Sequence, residues 1–395
     1  MRVGRVRSPW RGRVLGCWVL LQSLPGVAAP IHWFSDDFET GTLRTSDTPA
    51  GRWDDAAATS PNTLASGAAG AHRGRYGLTV TDRTSNPGSL ASASVEPGAP
   101  LSSEFHVRTW LRLRAVSASG SVVAVQALPA LVELRLLAPE PTWELAVRNG
   151  SGRTYVSLHG SRVEAERWYL VEFSARGLGT TAGEARLWVD GVEQGVLSGR
   201  DWRDAANVLD RLVVGEPWSD TGTFVGSLDF DDVRVSTSPM ASRLGLQRPQ
   251  DTGASSGCIP MDVSLRDSAT GAPAPAPYET EVALSTVAGA GGFHADAACG
   301  TPSGRALLAA GTSERRVYFR PGGTAGTARV EASHPDFLSA TLAVEHEGMP
   351  DDAPDADDAA TGPWTMTPGC TSAPGALVAL PVLVGPWLRR GRWRR

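Results

Sequence analysis

Lysine is missing from all 395 residues; every one of the 37 basic side chains is arginine. A Schiff-base lysine, a P-loop lysine and the strand lysine of kinases are therefore excluded. Histidine is scarce, seven in all, and neither H-x-H nor H-E-x-x-H spacing occurs, so there is no zinc signal. Nothing of the form G-x-S-x-G points to a serine nucleophile, although the partners of a Ser-His-Asp triad need not be neighbours in sequence. Apolar residues at sustained three-to-four spacing are also lacking. Short alternating runs remain, with 44 Gly and 28 Pro for turns, and these predict an all-β chain.

Positive charge is short in the middle of the chain relative to its acidity. Five arginines lie before residue 30 and five more close the sequence, with no acidic residue in either segment. Removing both leaves 27 Arg against 42 acidic residues, a charge of −15. Such a body repels DNA, RNA and anionic lipid, so nucleic acid is not an expected partner.

The two ends read as addresses. Residues 1–29 have a basic stretch, a short apolar stretch from Val14 to about Leu24 and small residues near Ala28, the layout of a secretory signal. Cys17 precedes the apolar core, which spoils the lipoprotein box that VLGC would otherwise suggest. In an exported chain, Cys258 and Cys299 can pair as a disulfide. Residues 348–368 (GMPDDAPDADDAATGPW and its sequel) are acidic and rich in Pro and Ala, as expected of a disordered stalk. Residues 369–395 carry Gly369-Cys370, an apolar run and terminal arginines. This tail resembles the MYXO-CTERM-type sorting signal of myxobacterial surface proteins. The resemblance implies a sorting protease, lipid modification at Cys370 and display on the outer cell surface. A plain tail anchor with a free Cys370 is the alternative.

Between the ends lie two β-rich regions. In residues 30–240, alternating runs such as FHVRTWLRLRAV are joined by Asn149-Gly150 and Asp190-Gly191, both strong hairpin signals. The order DDFETG, WYLVEF, LWVDGV, LVVG and LDFDDVRVS resembles the concanavalin A-like, laminin-G-like sandwiches of bacterial surface proteins. That implies a jelly roll of two antiparallel sheets, a fold that hosts both lectins and polysaccharide-degrading enzymes. Residues 248–347 resemble a bacterial Ig-like domain in their G-C opening, LRDSATGAP, FHADAAC and VYFRPGGTAGTARVEAS. The expected fold class is thus a concanavalin A-like jelly-roll sandwich followed by an Ig-like β-sandwich.

Catalytic patterns are thin. No E-x-D-x-x-E run supplies the carboxylate pair of a retaining glycosidase, and in DFDDV only Asp229 and Asp231 are expected to share a face. LVELR places Glu133 and Arg135 on one strand, but the leading Arg of the lyase pattern is absent and no Q-I/V-H follows. Trp53, Trp202 and Trp218 fall in predicted loops, where stacking on sugar faces makes them candidate glycan-binding residues, with packing as the other reading. Trp110, Trp168 and Trp188 lie in strand-like runs and are expected in the core. Asp37 and Asp231 are candidate calcium ligands, Ca²⁺ being the one possible cofactor, against the reading that these acids guard strand edges. Together the residues favour a non-catalytic surface binding or adhesion protein for polysaccharide or matrix glycan. A lyase or glycosidase, or a structural envelope protein, are the alternatives.

Overall fold

The computed structural model describes residues 32–43, 52–84, 86, 88–96, 100–102, 104–116, 120–129, 132–149, 154–177, 179–200, 202, 208–217, 225–249, 257–323 and 325–347. The signal segment, the stalk, Trp218 and the Gly369-Cys370 tail lie outside them.

Alternation builds the first sandwich. Along Glu104–Val116, the residues Phe105, Val107, Leu111 and Leu113 enter the core, while His106, Arg108, Trp110, Arg112 and Arg114 take the other side. The front sheet runs in the order Val192–Arg200, Gly183–Val189, Trp168–Arg176, Glu104–Val116, Gly226–Ser236, Gly77–Asp82 and Thr63–Gly67, with His32–Asp36 also paired to Gly226–Ser236. The back sheet runs Thr154–Arg162, Thr142–Asn149, Val132–Ala138, Gly120–Pro129, Val208–Glu216, Ala91–Val95 and Asp55–Ala58, with Leu101–Ser102 beside Val208–Glu216. All these pairings are antiparallel, and one apolar core lies between the sheets.

The second sandwich begins at Ala241, not at 248. Ala241–Gln247 pairs antiparallel with Ile259–Asp267 and sends Leu244 and Leu246 into the second core. Its eight strands follow one path that passes from one layer to the other through a single parallel bridge, Arg243 to Leu338. The expected disulfide is present, joining Cys258 to Cys299. In the chain-entropy view, closing a loop of that length contributes about 4 kcal/mol.

A β-bulge decides how the two sandwiches meet. In Gly226–Ser236, Leu228 and Phe230 point into the core, then Val233 and Val235 do, so the inward parity changes between 230 and 233. The register slips between Asp231 and Arg234, and Asp232 takes a φ of 50°, a left-handed conformation that costs a non-glycine residue roughly 1–3 kcal/mol. As a result Asp229, Asp231 and Asp232 all leave the core, where two were expected to share a face. Asp232 receives Arg234 Nε at 2.8 Å and lies 3.3 Å from Arg108. Arg108 is wholly buried; it donates to the Ala241 carbonyl at 2.9 Å and to the Asp336 carbonyl, both in the second sandwich. The Asp336 carboxylate in turn pairs with Arg73 and lies 3.8 Å from Arg234. Phe337 and Tyr278 close the cluster, 5.2 and 5.3 Å from the guanidinium carbons of Arg108 and Arg234. Burial alone would raise the Asp232 carboxyl, but Arg234, Arg108 and Arg73 pull it below its ordinary value.

Removing one member of this cluster strands buried charge. Arg108→Ala is expected to cost about 3–5 kcal/mol in urea unfolding of the full chain. A loss below about 1 kcal/mol would show that the cluster is not holding the sandwiches together.

Several buried carboxyls set a pH dependence. Burial pushes Asp36 and Asp231 up to about 7, and burial plus the neighbouring Asp82 pushes Glu216 up to about 9. Each is protonated in the folded state where the unfolded chain would be ionised. Their contribution is therefore complete below about pH 4 and is lost as pH rises through 7 and 9. His72 and His334, lowered by burial to about 4, act in the opposite sense but only below the ordinary histidine value. With no lysine present, the thermal midpoint is expected to fall by several degrees between about pH 6.5 and about pH 9. A flat or rising profile over that interval would contradict the burial of these acids.

Candidate functional site

The outer face of the back sheet carries a compact polar group. Val132, Leu134 and Leu136 enter the core, so Glu133 and Arg135 must face outward. Register then places Glu133 opposite Gln126 on one side and Ala146 on the other, with Arg135 opposite Glu144. Thr142–Asn149 pairs antiparallel with Thr154–Arg162, which sets Arg148 opposite Tyr155. Four neighbouring strands thus deliver Gln126, Glu133, Arg135, Glu144 and Tyr155 to one patch.

Within it, Gln126 Nε2 donates to Glu133 Oε1 at 2.6 Å and Arg135 Nε donates to Glu133 Oε2 at 2.7 Å. The Arg135 guanidinium lies 4.1 Å over the Tyr155 ring and 3.8 Å from Glu144. Gln126, Glu133 and Glu144 are buried although they point away from the core, while Arg135 and Tyr155 are half-buried. Burial, then the Glu133 charge, raises the Tyr155 hydroxyl above its ordinary value. At neutral pH it is a donor, 3.4 Å from Glu133 Oε1, and not a base. The patch therefore offers paired donors and acceptors beside a flat cation–aromatic platform, which suits hydroxyl groups and the C–H faces of sugar rings.

The sequence singles out Glu133 and Arg135 on one strand as an incomplete lyase pattern. It does not point to Gln126, Glu144 or Tyr155. A two-residue turn at Asn149-Gly150 would have set another register; it is the pairing of Asn149 with Thr154 that brings Tyr155 to the Arg135 face.

The loop tryptophans fold inward. Trp53 is buried at 1% exposure, its ring packed on Phe34 and Phe38 and its Nε1 donating to Asp36 at 2.6 Å. Trp202 is fully buried in the same core, and a Cβ on Gly183 would come within 2.2 Å of its ring. Neither presents a face to a sugar; a loop can fold its aromatic inward when the sheets leave a gap at their edge. Trp110 and Trp188 are buried as expected, but on the outward face of the front sheet and not in the core between the sheets, and Trp168 beside them is half-buried. There His72 stacks on Trp110 at 3.9 Å and meets Trp168 edge-on at 5.2 Å.

The acids proposed for calcium are occupied otherwise. Asp231 Oδ2 accepts the amides of His72 and Arg73 at 2.8 and 3.1 Å, and its Oδ1 accepts that of Asp232 at 2.8 Å. Asp37 is exposed and accepts the Glu39 amide at 3.2 Å. Each ties a turn, and among the described residues no group of three or more His, Cys, Asp or Glu side chains is arranged to hold a metal.

Residues 84–242 match the family model described as the concanavalin A-like lectin/glucanases superfamily, laminin-G type. The first sandwich is a concanavalin A-like, laminin-G-like domain. Among solved structures, this chain is similar to an endo-β-1,4-glucuronan lyase from the fungus Trichoderma reesei, at 16% identity and a TM-score of 0.40, covering 52% of this chain and 95% of that one. It is similar to the alginate lyase Aly36B at 11% identity and a TM-score of 0.36, with 53% and 98% covered. The globular domain of T. cruzi calreticulin matches at 10% identity and a TM-score of 0.35, with 52% and 88% covered. No curated protein matches the chain.

If Trp53 is a packing residue of the concanavalin A-like domain, Trp53→Ala should cost about 3–5 kcal/mol of stability by urea or thermal unfolding. Loss of glycan binding by a variant that melts like the parent would restore it as a ligand contact.

Proposed function

We propose that this protein is a non-catalytic binding protein of the cell surface that holds polysaccharide or matrix glycan on the outer face of the back sheet. The observation that carries the reading is the Arg135–Tyr155 platform framed by Gln126, Glu133 and Glu144. Sugar hydroxyls need donors and acceptors side by side, and ring faces need a flat partner; the patch supplies both. In this reading the exported chain carries the concanavalin A-like domain outermost, the second, Ig-like sandwich as spacer, residues 348–368 as stalk and a lipid-linked end at Cys370.

Turnover is the second reading, because LVELR retains two residues of a lyase strand. Two features weigh against it. Eliminating across a uronate requires a base to take a proton, and the Tyr155 hydroxyl is shifted away from that role. It also requires a cation free to neutralise the substrate carboxylate, whereas Arg135 is engaged by Glu133 and Glu144.

A glycan array on the purified protein, with parallel assays for reducing ends and unsaturated uronates, separates the readings. The expected result is polysaccharide retention without product. Arg135→Ala and Tyr155→Ala should each weaken it about tenfold, corresponding to about 1.4 kcal/mol. Steady release of unsaturated uronate or reducing ends would overturn the non-catalytic reading, and retention untouched by both substitutions would overturn the site.

A further inference from the structure

The second sandwich does not cover the whole outer face of the front sheet. Beyond the buried Arg108 cluster the two bodies diverge and leave a cleft of about 200 Å³. One wall is the front sheet, where His106, Ser174 and Trp188 stand on three adjacent strands with their neighbours Phe105, Ala175 and Leu187 in the core. The connection supplies Pro239, and the turn of the second sandwich supplies Ala269 and Thr270. Three separate parts of the chain therefore build it, and neither sandwich alone would contain it.

Its chemistry is specific. His106, Ser174 and Trp188 are each at least nine-tenths buried, yet all three line the cleft. Around the mouth the polar groups are paired: His106 Nε2 with Glu104 at 2.8 Å, Glu184 with Arg186 at 2.6 Å and with Arg176 at 3.0 Å, and Arg186 with Glu193 at 2.9 Å. Glu104 is held below its ordinary value chiefly by the His106 hydrogen bond, and Glu184 chiefly by that of Arg186. Both stay ionised acceptors at neutral pH, flanked by guanidinium donors. Net charge at the mouth is close to zero, so a carboxylate or sulfate ligand would find each cation already engaged. Vicinal hydroxyls fit better: each can donate to a carboxylate and accept from an arginine. Pro239, half-buried at the rim, adds apolar surface for a sugar ring's C–H face, and the buried Trp188 forms the floor behind it. The space lies below the roughly 300–1,000 Å³ of pockets for larger ligands, and the second sandwich closes one side.

We propose that this inter-sandwich cleft is a second carbohydrate site, distinct from the back sheet, that takes a single neutral hexose unit, free or at a chain end. It rests on the reading of the protein as a glycan binder only in the class of ligand; its residues and its location are its own. Because both walls are fixed by the Arg108 cluster, the cleft is formed before ligand arrives, and little ordering entropy opposes binding.

Calorimetry or saturation-transfer NMR on the purified protein with glucose, galactose and N-acetylglucosamine tests it, with glucuronate as the charged comparison. The expected result is a dissociation constant of about a millimolar for at least one neutral sugar and weaker binding of glucuronate. Ala269→Trp, which fills the cleft from a half-buried position in the turn, should abolish the signal. Arg176→Ala, at a side chain 58% exposed, should weaken it at least tenfold while leaving the thermal midpoint in place. Polysaccharide retention should survive Ala269→Trp. No binding of any neutral sugar, preference for glucuronate, or binding that persists in both variants would overturn the cleft. If neutral sugars fail while polysaccharide retention still depends on Arg135, the cleft falls and the back-sheet reading stands. If retention is indifferent to Arg135 and a neutral sugar is lost with Ala269→Trp, the reverse holds.

Discussion

Arg108 is the residue on which the architecture turns. It projects from the middle of a strand, on the face that an isolated sandwich would give to water, and it is wholly buried. A guanidinium can be taken out of water only if its donors are met and its charge is balanced. Asp232 balances it from the neighbouring strand, while the carbonyls of Ala241 and Asp336 meet it from the second sandwich. The two bodies are therefore not beads on a string. The connection at 237–240 is short, and the first strand of the second body pairs at once with Ile259–Asp267, so there is little length in which to swing.

That constraint gives the two faces of the first sandwich different fates. The front sheet is sealed where Arg108, Asp232 and Arg234 meet the second body. Glu172 is sealed beside them, its carboxyl raised by burial against partial relief from Ser268, Arg108 and Ser242. Farther along the same strands, the seal ends and paired charges line a cleft. The back sheet has no such cap from the second sandwich, and its outward Arg135 and Tyr155 remain half-exposed. With the second sandwich docked on one sheet, the other sheet and the margin of the docking surface are the faces left to water.

Much of this was legible in the sequence, and the rest was not for identifiable reasons. Alternation in FHVRTWLRLRAV marked a strand correctly, because a period of two follows from pleating alone, but it did not say which of the two sets faces inward, and Trp110 lies on the outward one, as does Trp168 on the neighbouring strand. Alternation says nothing of what lies beyond the outward face, so Arg108 looked like any solvated arginine. The bulge at Asp231–Asp232 breaks the parity on which face assignments depend, and no residue type announces it. The loop tryptophans misled for a related reason: Trp53 and Trp202 follow their loops back into the core, while Trp188, buried as expected, is buried on the far side of its sheet. The domain start at Ala241 was hidden because ASRLGLQ is too short to separate from the strand before it. Cysteine pairing needed no geometry, only two thiols in one domain and an oxidising destination.

The missing lysines acquire a structural meaning at the buried cluster. A lysine at 108 could not meet two carbonyls and a carboxylate at once in a planar arrangement, and burial readily lowers an ammonium toward neutrality. Neutralising it would leave Asp232 opposite Asp336 with less cationic charge between them, raising the cost of closing the interface. Arginine starts from so high a value that burial, which does lower Arg108, leaves its charge intact. An all-arginine composition was useful at first only for the chemistry it excludes. In the folded molecule it is what allows three cations, Arg73, Arg108 and Arg234, to be shared between two carboxylates at an interface mostly shielded from water, and so allows two sandwiches to act as one body.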